Sequence, residues 1–160
     1  MRLHISAIGQ IKNGAEAKLT EDYLKRLRGA GTSIGISDII IHELRERKNL
    51  PDKERRQAEA GLLQNSLPEQ CYLIALDERG ATLTSRQLAD SLSAWINAGH
   101  RDIGFIIGGA DGLTPDLLSQ ADKKISLGKM TWPHMLVRVM LTEQLWRAVS
   151  ILTNHPYHRD

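Results

Sequence analysis

Ile103-Gly104-Phe105-Ile106-Ile107-Gly108-Gly109, together with the residues from there to Asp160 at the end of the chain, decides the fold. An apolar run stops abruptly at two glycines. A second, shorter run, Ile125-Ser126-Leu127, stops at Gly128 and leads into Lys129-Met130-Thr131-Trp132-Pro133. From His134 the chain reads helical for almost twenty residues and ends in Asn154-His155-Pro156-Tyr157-His158-Arg159-Asp160. Two strands that end in glycine at one edge of a sheet would line a pocket with backbone, next to a helix and a polar tail.

Working back from there, strands alternate with helices. Leu3–Ile8 is a short apolar run closed by Gly9, and Ala15–Leu27 has helical spacing with Gly29 as a stop signal. Ile34–Leu44 is β-branched and strand-like, and Pro51 suits the first turn of a helix running to about Asn65. Cys71–Leu76 is a nearly unbroken apolar run, as expected of a central parallel strand covered on both faces. Thr84 caps a helix that Gly99 closes, and Thr114-Pro115 starts a shorter one. This alternation predicts an α/β fold, a parallel sheet with helices on both faces, as one domain over residues 1–160.

On a helical projection, Leu136, Val137, Val139, Met140, Leu141, Leu145, Val149, Ile151 and Leu152 share no single stripe. Such a helix is buried on more than one side, and a second subunit is an economical cover. Glu143 and Arg147 can pair at i, i+4, whereas Arg138 falls among apolar neighbours and needs a partner or a task.

Bulk properties exclude several classes. A net charge of +2 over 160 residues implies no bulk electrostatic grip on nucleic acid. One cysteine, Cys71, allows neither a disulfide framework nor a thiolate metal site. No signal-peptide core and no membrane span is visible, so a cytoplasmic protein is expected. The mixed-charge run Glu43–Arg56 reads as a solvated face, with an RNA-facing edge as the alternative.

Three late strands end in polar or glycine-rich loops, at Leu76–Gly80, Gly108–Gly112 and Leu127–Trp132, and ligands of open parallel sheets bind beyond such ends. The G-G-x-x-G spacing matches neither the dinucleotide fingerprint nor the P-loop, and alone it reads as a turn. With its main-chain groups and apolar walls, the pocket suits an adenosine-like ligand better than a bare phosphate. No metal is expected, because His155 and His158 have no carboxylate beside them except Asp160. The tail groups an aromatic plane, two imidazoles and a guanidinium within six residues. Those groups suit stacking, proton transfer and phosphate contact on a single-stranded base; the plain alternative is a frayed terminus.

Leu76-Asp77-Glu78-Arg79-Gly80, Ile106–Leu113, Ser126–His134, Leu136-Val137-Arg138 and Thr153–Arg159 together resemble the RlmH family. These are bacterial SPOUT-class methyltransferases that use S-adenosylmethionine to modify a pseudouridine of 23S ribosomal RNA at N3. The resemblance spans the whole length and is strong from Cys71 onward. It implies a C-terminal trefoil knot, which connectivity rules would not have suggested, and a homodimer with the knots at its interface. The cofactor is expected among the three knot loops, at Leu76, Gly108, Leu127, Gly128, Lys129, Met130, Thr131 and Trp132. The resemblance marks Arg138, His155, Tyr157 and His158 as catalytic positions without settling the base; the chemistry of an imide nitrogen suggests His158 or His155 for its proton and Arg138 for the resulting anion. Asn154 and Arg159 are expected to contact RNA, with the ribosome as partner, and the tail to serve the partner subunit's site.

Overall fold

The computed structural model describes residues 1–159. Five parallel strands, β1 (Arg2–Ile8), β2 (Asp38–Leu44), β3 (Tyr72–Thr82), β4 (Asp102–Ile107) and β5 (Lys123–Ser126), form one sheet in the order β2-β1-β4-β3-β5. The helices are α1 (Ala15–Gly31), α2 (Asp52–Asn65), α3 (Ser85–Asn97), α4 (Pro115–Gln120) and α5 (His134–Leu152). Side-chain alternation divides them between the two faces. Leu3, Ile5 and Ala7 of β1 join a core with Leu24 and Leu27 of α1, Leu92 of α3 and Leu145 of α5. Ile8 and Ile106 point the other way, into a smaller core with Leu63 of α2 and Leu117 of α4. β4 lies between β1 and β3 and is buried along its whole length, which is why it reads as a continuous apolar run.

Local signals behave as their chemistry requires. Thr84 and Gln87 form a reciprocal cap on α3: the Thr84 hydroxyl accepts from the Gln87 N–H, and the Gln87 amide accepts from the Thr84 N–H. Pro51 caps α2 from outside, in place of entering its first turn. α1 continues through Gly29 to Gly31. Thr32–Ile34 is a turn of 3-10 helix closed by Gly35 at φ 94°, so the strand expected from Ile34 begins only at Asp38. The isoleucines carry a β preference, but a left-handed residue in their midst cannot belong to a strand.

The third strand departs most from expectation. It does not end at Leu76 but continues to Thr82, and Leu76 and Ala81 both stand opposite Ile125. Asp77–Gly80 therefore bulge out of the ladder between two points of contact with one strand. Gly80 makes this possible, because a Cβ there would lie 2.6 Å from the backbone of Ile125.

α5 packs between α1 and α3 on the larger core. Its buried Val139, Leu141, Leu145, Trp146 and Val149 are thus covered by sheet and two helices of their own chain. The wide apolar arc does not by itself require a second subunit, which corrects the expectation drawn from the helical projection. What remains uncovered is smaller: Leu19 on α1, 45 % exposed, Leu136 on α5, 36 %, and Met130 and Trp132 before it, 70 % and 37 %. Among the described residues, no helix is long and apolar enough to cross a membrane.

Candidate cofactor and substrate site

β4, β3 and β5 are neighbours, so their carboxyl ends and the loops that leave them converge. They enclose a cavity of about 290 Å³ at the size expected of a small-molecule site. Leu76, Gly108, Leu127, Gly128, Met130, Thr131 and Trp132 all line it. Lys129 sits in the same loop but is exposed and does not line the cavity. Ile107, Leu113, Ile125 and Val137 add apolar wall, and Asp77 and Glu78 add carboxylates at the β3 side.

The loops are shaped by their own hydrogen bonds. Gly112, at φ 73°, donates its N–H to the Gly109 carbonyl at 3.0 Å, which closes the Gly108–Gly112 turn. A Cβ on Gly108 would lie 2.8 Å from the Gly112 backbone. A larger residue at 108 would therefore distort the loop before it filled the cavity. In the next loop, Ser126 Oγ donates to the Gly128 carbonyl at 2.8 Å and accepts from the Gly128 N–H at 3.2 Å. From the other side, α2 clamps the glycine loop: Arg55 Nε donates to Asp111 Oδ2 at 2.7 Å, and Arg56 Nη1 to the Asp111 carbonyl at 3.3 Å.

Arg56 and His134 line the cavity and escaped the sequence reading. Arg56 lay within a run that reads as a solvated face, and only the docking of α2 reveals it. His134, noted in the sequence as the start of the last helix and the end of a family-like stretch but not as a site residue, has Nε2 3.4 Å from Glu46 Oε1.

Arg138 has a partner. It is fully buried, with Nη1 on Glu43 Oε1 at 2.5 Å and Nη2 on the Gly9 carbonyl at 2.7 Å. It ties the start of α5 to the ends of β1 and β2. Burial lowers its pKa and the Glu43 carboxylate opposes that shift. It is fully buried and does not line the cavity. Within this chain its visible contacts, to Glu43 and Gly9, are structural.

The tail folds back on the helix it leaves. Asn154 turns the chain at φ 52°, and the His155 N–H donates to the Ser150 carbonyl at 2.8 Å. The rings of His155 and Tyr157 then pack on Trp146, at centroid distances of 5.1 and 5.5 Å. The Arg147 guanidinium, held by Glu143, lies 4.8 Å from the Tyr157 ring centre. Tyr157 donates its hydroxyl to Glu143 Oε1 at 2.9 Å. Burial first, then hydrogen bonds to Tyr23 and Glu143, push the Tyr157 phenol far up, so it stays protonated. His158 approaches Arg147, with Nδ1 3.5 Å from Nη1. Asn154, His155 and Arg159 remain exposed. None of Asn154–Arg159 lines the cavity. Two groups of candidate residues are thus assembled, but the chain does not bring them together.

The cavity's chemistry fits a nucleoside that carries a positive charge. It offers apolar walls, main-chain groups from two glycine-bearing loops, and three acidic residues, Asp77, Glu78 and Asp111, beside Arg56, Arg79 and His134. Among the described residues, no group of three or more His, Cys, Asp or Glu side chains is arranged to hold a metal ion. The chain belongs to the SPOUT methyltransferase family: the family model described as predicted SPOUT methyltransferase matches residues 1–158. S-adenosylmethionine is the methyl donor of that family.

Within the family, the chain is 47% identical to the ribosomal RNA large subunit methyltransferase H of Cereibacter sphaeroides, over 99% of both chains. Proteins of the same name from Allorhizobium ampelinum and a Ruegeria species are 45% identical over 100% of both chains and 43% identical over 99% of both chains. Among solved structures, a probable methylase family protein from Haemophilus influenzae aligns with a TM-score of 0.52 at 12% identity, covering 99% of this chain and 70% of that one. That likeness concerns the fold alone.

Proposed function

We propose that the protein transfers a methyl group from S-adenosylmethionine to N3 of a pseudouridine in 23S ribosomal RNA, on the assembled ribosome in the cytoplasm, as a homodimer. The observation that carries this reading is the convergence of three adjacent strand ends on one cavity, in a chain matched end to end by ribosomal RNA large subunit methyltransferases. Bound in the cavity, the cofactor supplies an electrophilic sulfonium methyl. Leu76, Gly108 and Leu127–Trp132 hold its adenosine through main chain and apolar contact, with Lys129 at the rim and no metal required.

N3 of the base is an imide nitrogen, and it attacks only as its proton leaves. His158 or His155 takes that proton. Asn154 and Arg159 grip the RNA, and Tyr157 contributes a stacking plane. In one subunit these groups lie against Trp146 and Arg147, not at the cavity. The tail therefore serves the partner's cavity. The exposed Leu19, Met130, Trp132 and Leu136 supply apolar contact for pairing; Met130 and Trp132 stand at the cavity itself.

The test uses ribosomes from cells lacking this protein. Purified protein and S-adenosylmethionine should add one methyl group, mapped by mass spectrometry to N3 of a 23S pseudouridine. Methylation of free 23S RNA at equal rate would remove the assembled ribosome from the proposal, and no methylation of either would refute the activity.

A further inference from the structure

Two successive arginines on α2 meet different fates. Arg55 is neutralised by two carboxylates, donating to Asp111 Oδ2 at 2.7 Å and to Asp52 Oδ1 at 2.7 Å. Arg56 is half-buried on the cavity wall, and its one hydrogen bond is from Nη1 to a neutral acceptor, the Asp111 carbonyl, at 3.3 Å. That bond orients the guanidinium without neutralising it, and four of its five N–H donors remain for a ligand. The other wall cation, Arg79, is 81% exposed at its side chain and reaches only Asp77, at 3.9 Å. Among the described residues, Arg56 is thus the one cation fixed on the wall without an acidic partner. The same wall carries the acidic residues Asp77, Glu78 and Asp111, the last of them paired with Arg55. It thus bears both signs of charge.

We infer that Arg56 binds the α-carboxylate of the cofactor's methionine moiety. This rests on reading the cavity as the S-adenosylmethionine site. The cofactor also bears both signs of charge, with a sulfonium and an ammonium as cations and one carboxylate. A planar fork of donors suits that carboxylate better than a lysine would.

The test compares two ligands by calorimetry. S-adenosylhomocysteine carries the amino-acid end, while 5′-methylthioadenosine has the same adenosine and thioether without it. Arg56→Gln should weaken S-adenosylhomocysteine about tenfold, the loss of one charge-assisted contact. It should leave 5′-methylthioadenosine within about twofold, which also reports that the variant is folded. Arg55→Gln, by loosening the glycine loop, should weaken both ligands alike. Equal losses on both ligands in Arg56→Gln would assign Arg56 to loop structure and overturn the inference. So would unchanged S-adenosylhomocysteine binding with weakened ribosome binding, which would assign the guanidinium to an RNA phosphate. If the wild-type protein binds neither ligand, the cofactor reading itself falls.

Discussion

The cofactor cavity and the C-terminal tail differ in how they are built, and the difference bears on function. The cavity is made from the ends of three adjacent strands, and its loops are fastened by bonds such as Ser126 to Gly128 and Arg55 to Asp111. The tail is made of rings and charges laid on the outer side of α5, with Asn154, His155 and Arg159 still exposed. It is positioned by contact and lies away from the cavity of its own chain. A buried strand end makes a ligand site wherever it falls, whereas an exposed tail needs a second surface to become one.

The hardest blow to the cavity side is Gly80→Val. Its Cβ would stand 2.6 Å from the Ile125 backbone, so β5 must be displaced from the Asp77–Gly80 bulge. We expect a loss of roughly 3 kcal/mol or more in urea unfolding, at or above the usual cost of overpacking, together with loss of cofactor binding. An unchanged midpoint would mean that β3 and β5 do not approach as described.

Truncation after Thr153 should do the reverse: cofactor affinity within a few-fold, methyl transfer down by about 10² or more. Mixed dimers locate the tail. A chain whose cavity is disabled by Gly108→Val is combined with a truncated chain. One intact site should return if the tail acts across the interface, and complete inactivity of verified heterodimers would place it within its own subunit.

Tyr157→Phe keeps the aromatic plane and removes the bond to Glu143. Since the phenol is held protonated, it is no base at neutral pH. A stability loss of about 1 kcal/mol is expected, with turnover within about tenfold; a fall of about 10² or more would make the hydroxyl a participant in the chemistry.

The smallest effect belongs to a cluster remote from both regions, at the amino-terminal edge of the sheet. Asp102 accepts from Arg2 Nε at 2.7 Å and Nη2 at 2.8 Å, and lies 2.9 Å from His4 Nε2. The Arg2 hydrogen bond leads the causes that hold its carboxyl below the usual range, with burial opposing. A depressed folded pKa means that the folded state keeps this proton off more readily than the unfolded chain. Its contribution is complete above the unfolded value of about 3.9 and fades as pH falls through the folded value. Asp102→Asn should therefore flatten part of the acid side of the stability curve and leave cofactor affinity unchanged. An identical acid slope in the variant would assign that slope to other carboxylates.

Much of this was legible in the sequence. Continuous apolar runs such as Ile103–Ile107 mark strands covered on both faces, and Thr84 with Gln87 marks a helix start, because each depends on neighbours in the chain. The loops after Leu76, Ile107 and Ser126 announced themselves by glycine and polarity, and the sheet order brought them together. The sequence by itself thus determined the α/β class, the three loops of the cavity and the chemical repertoire of the tail. Only the tertiary structure decided that Arg138 is bound to Glu43 and Gly9, that Arg56 faces the cavity while Arg55 is neutralised, and that β3 resumes after its bulge. It also decided that the tail lies away from the cavity of its own chain. Those outcomes turn on partners separated by tens of residues along the chain, and periodicity and local propensity carry no information about such distances.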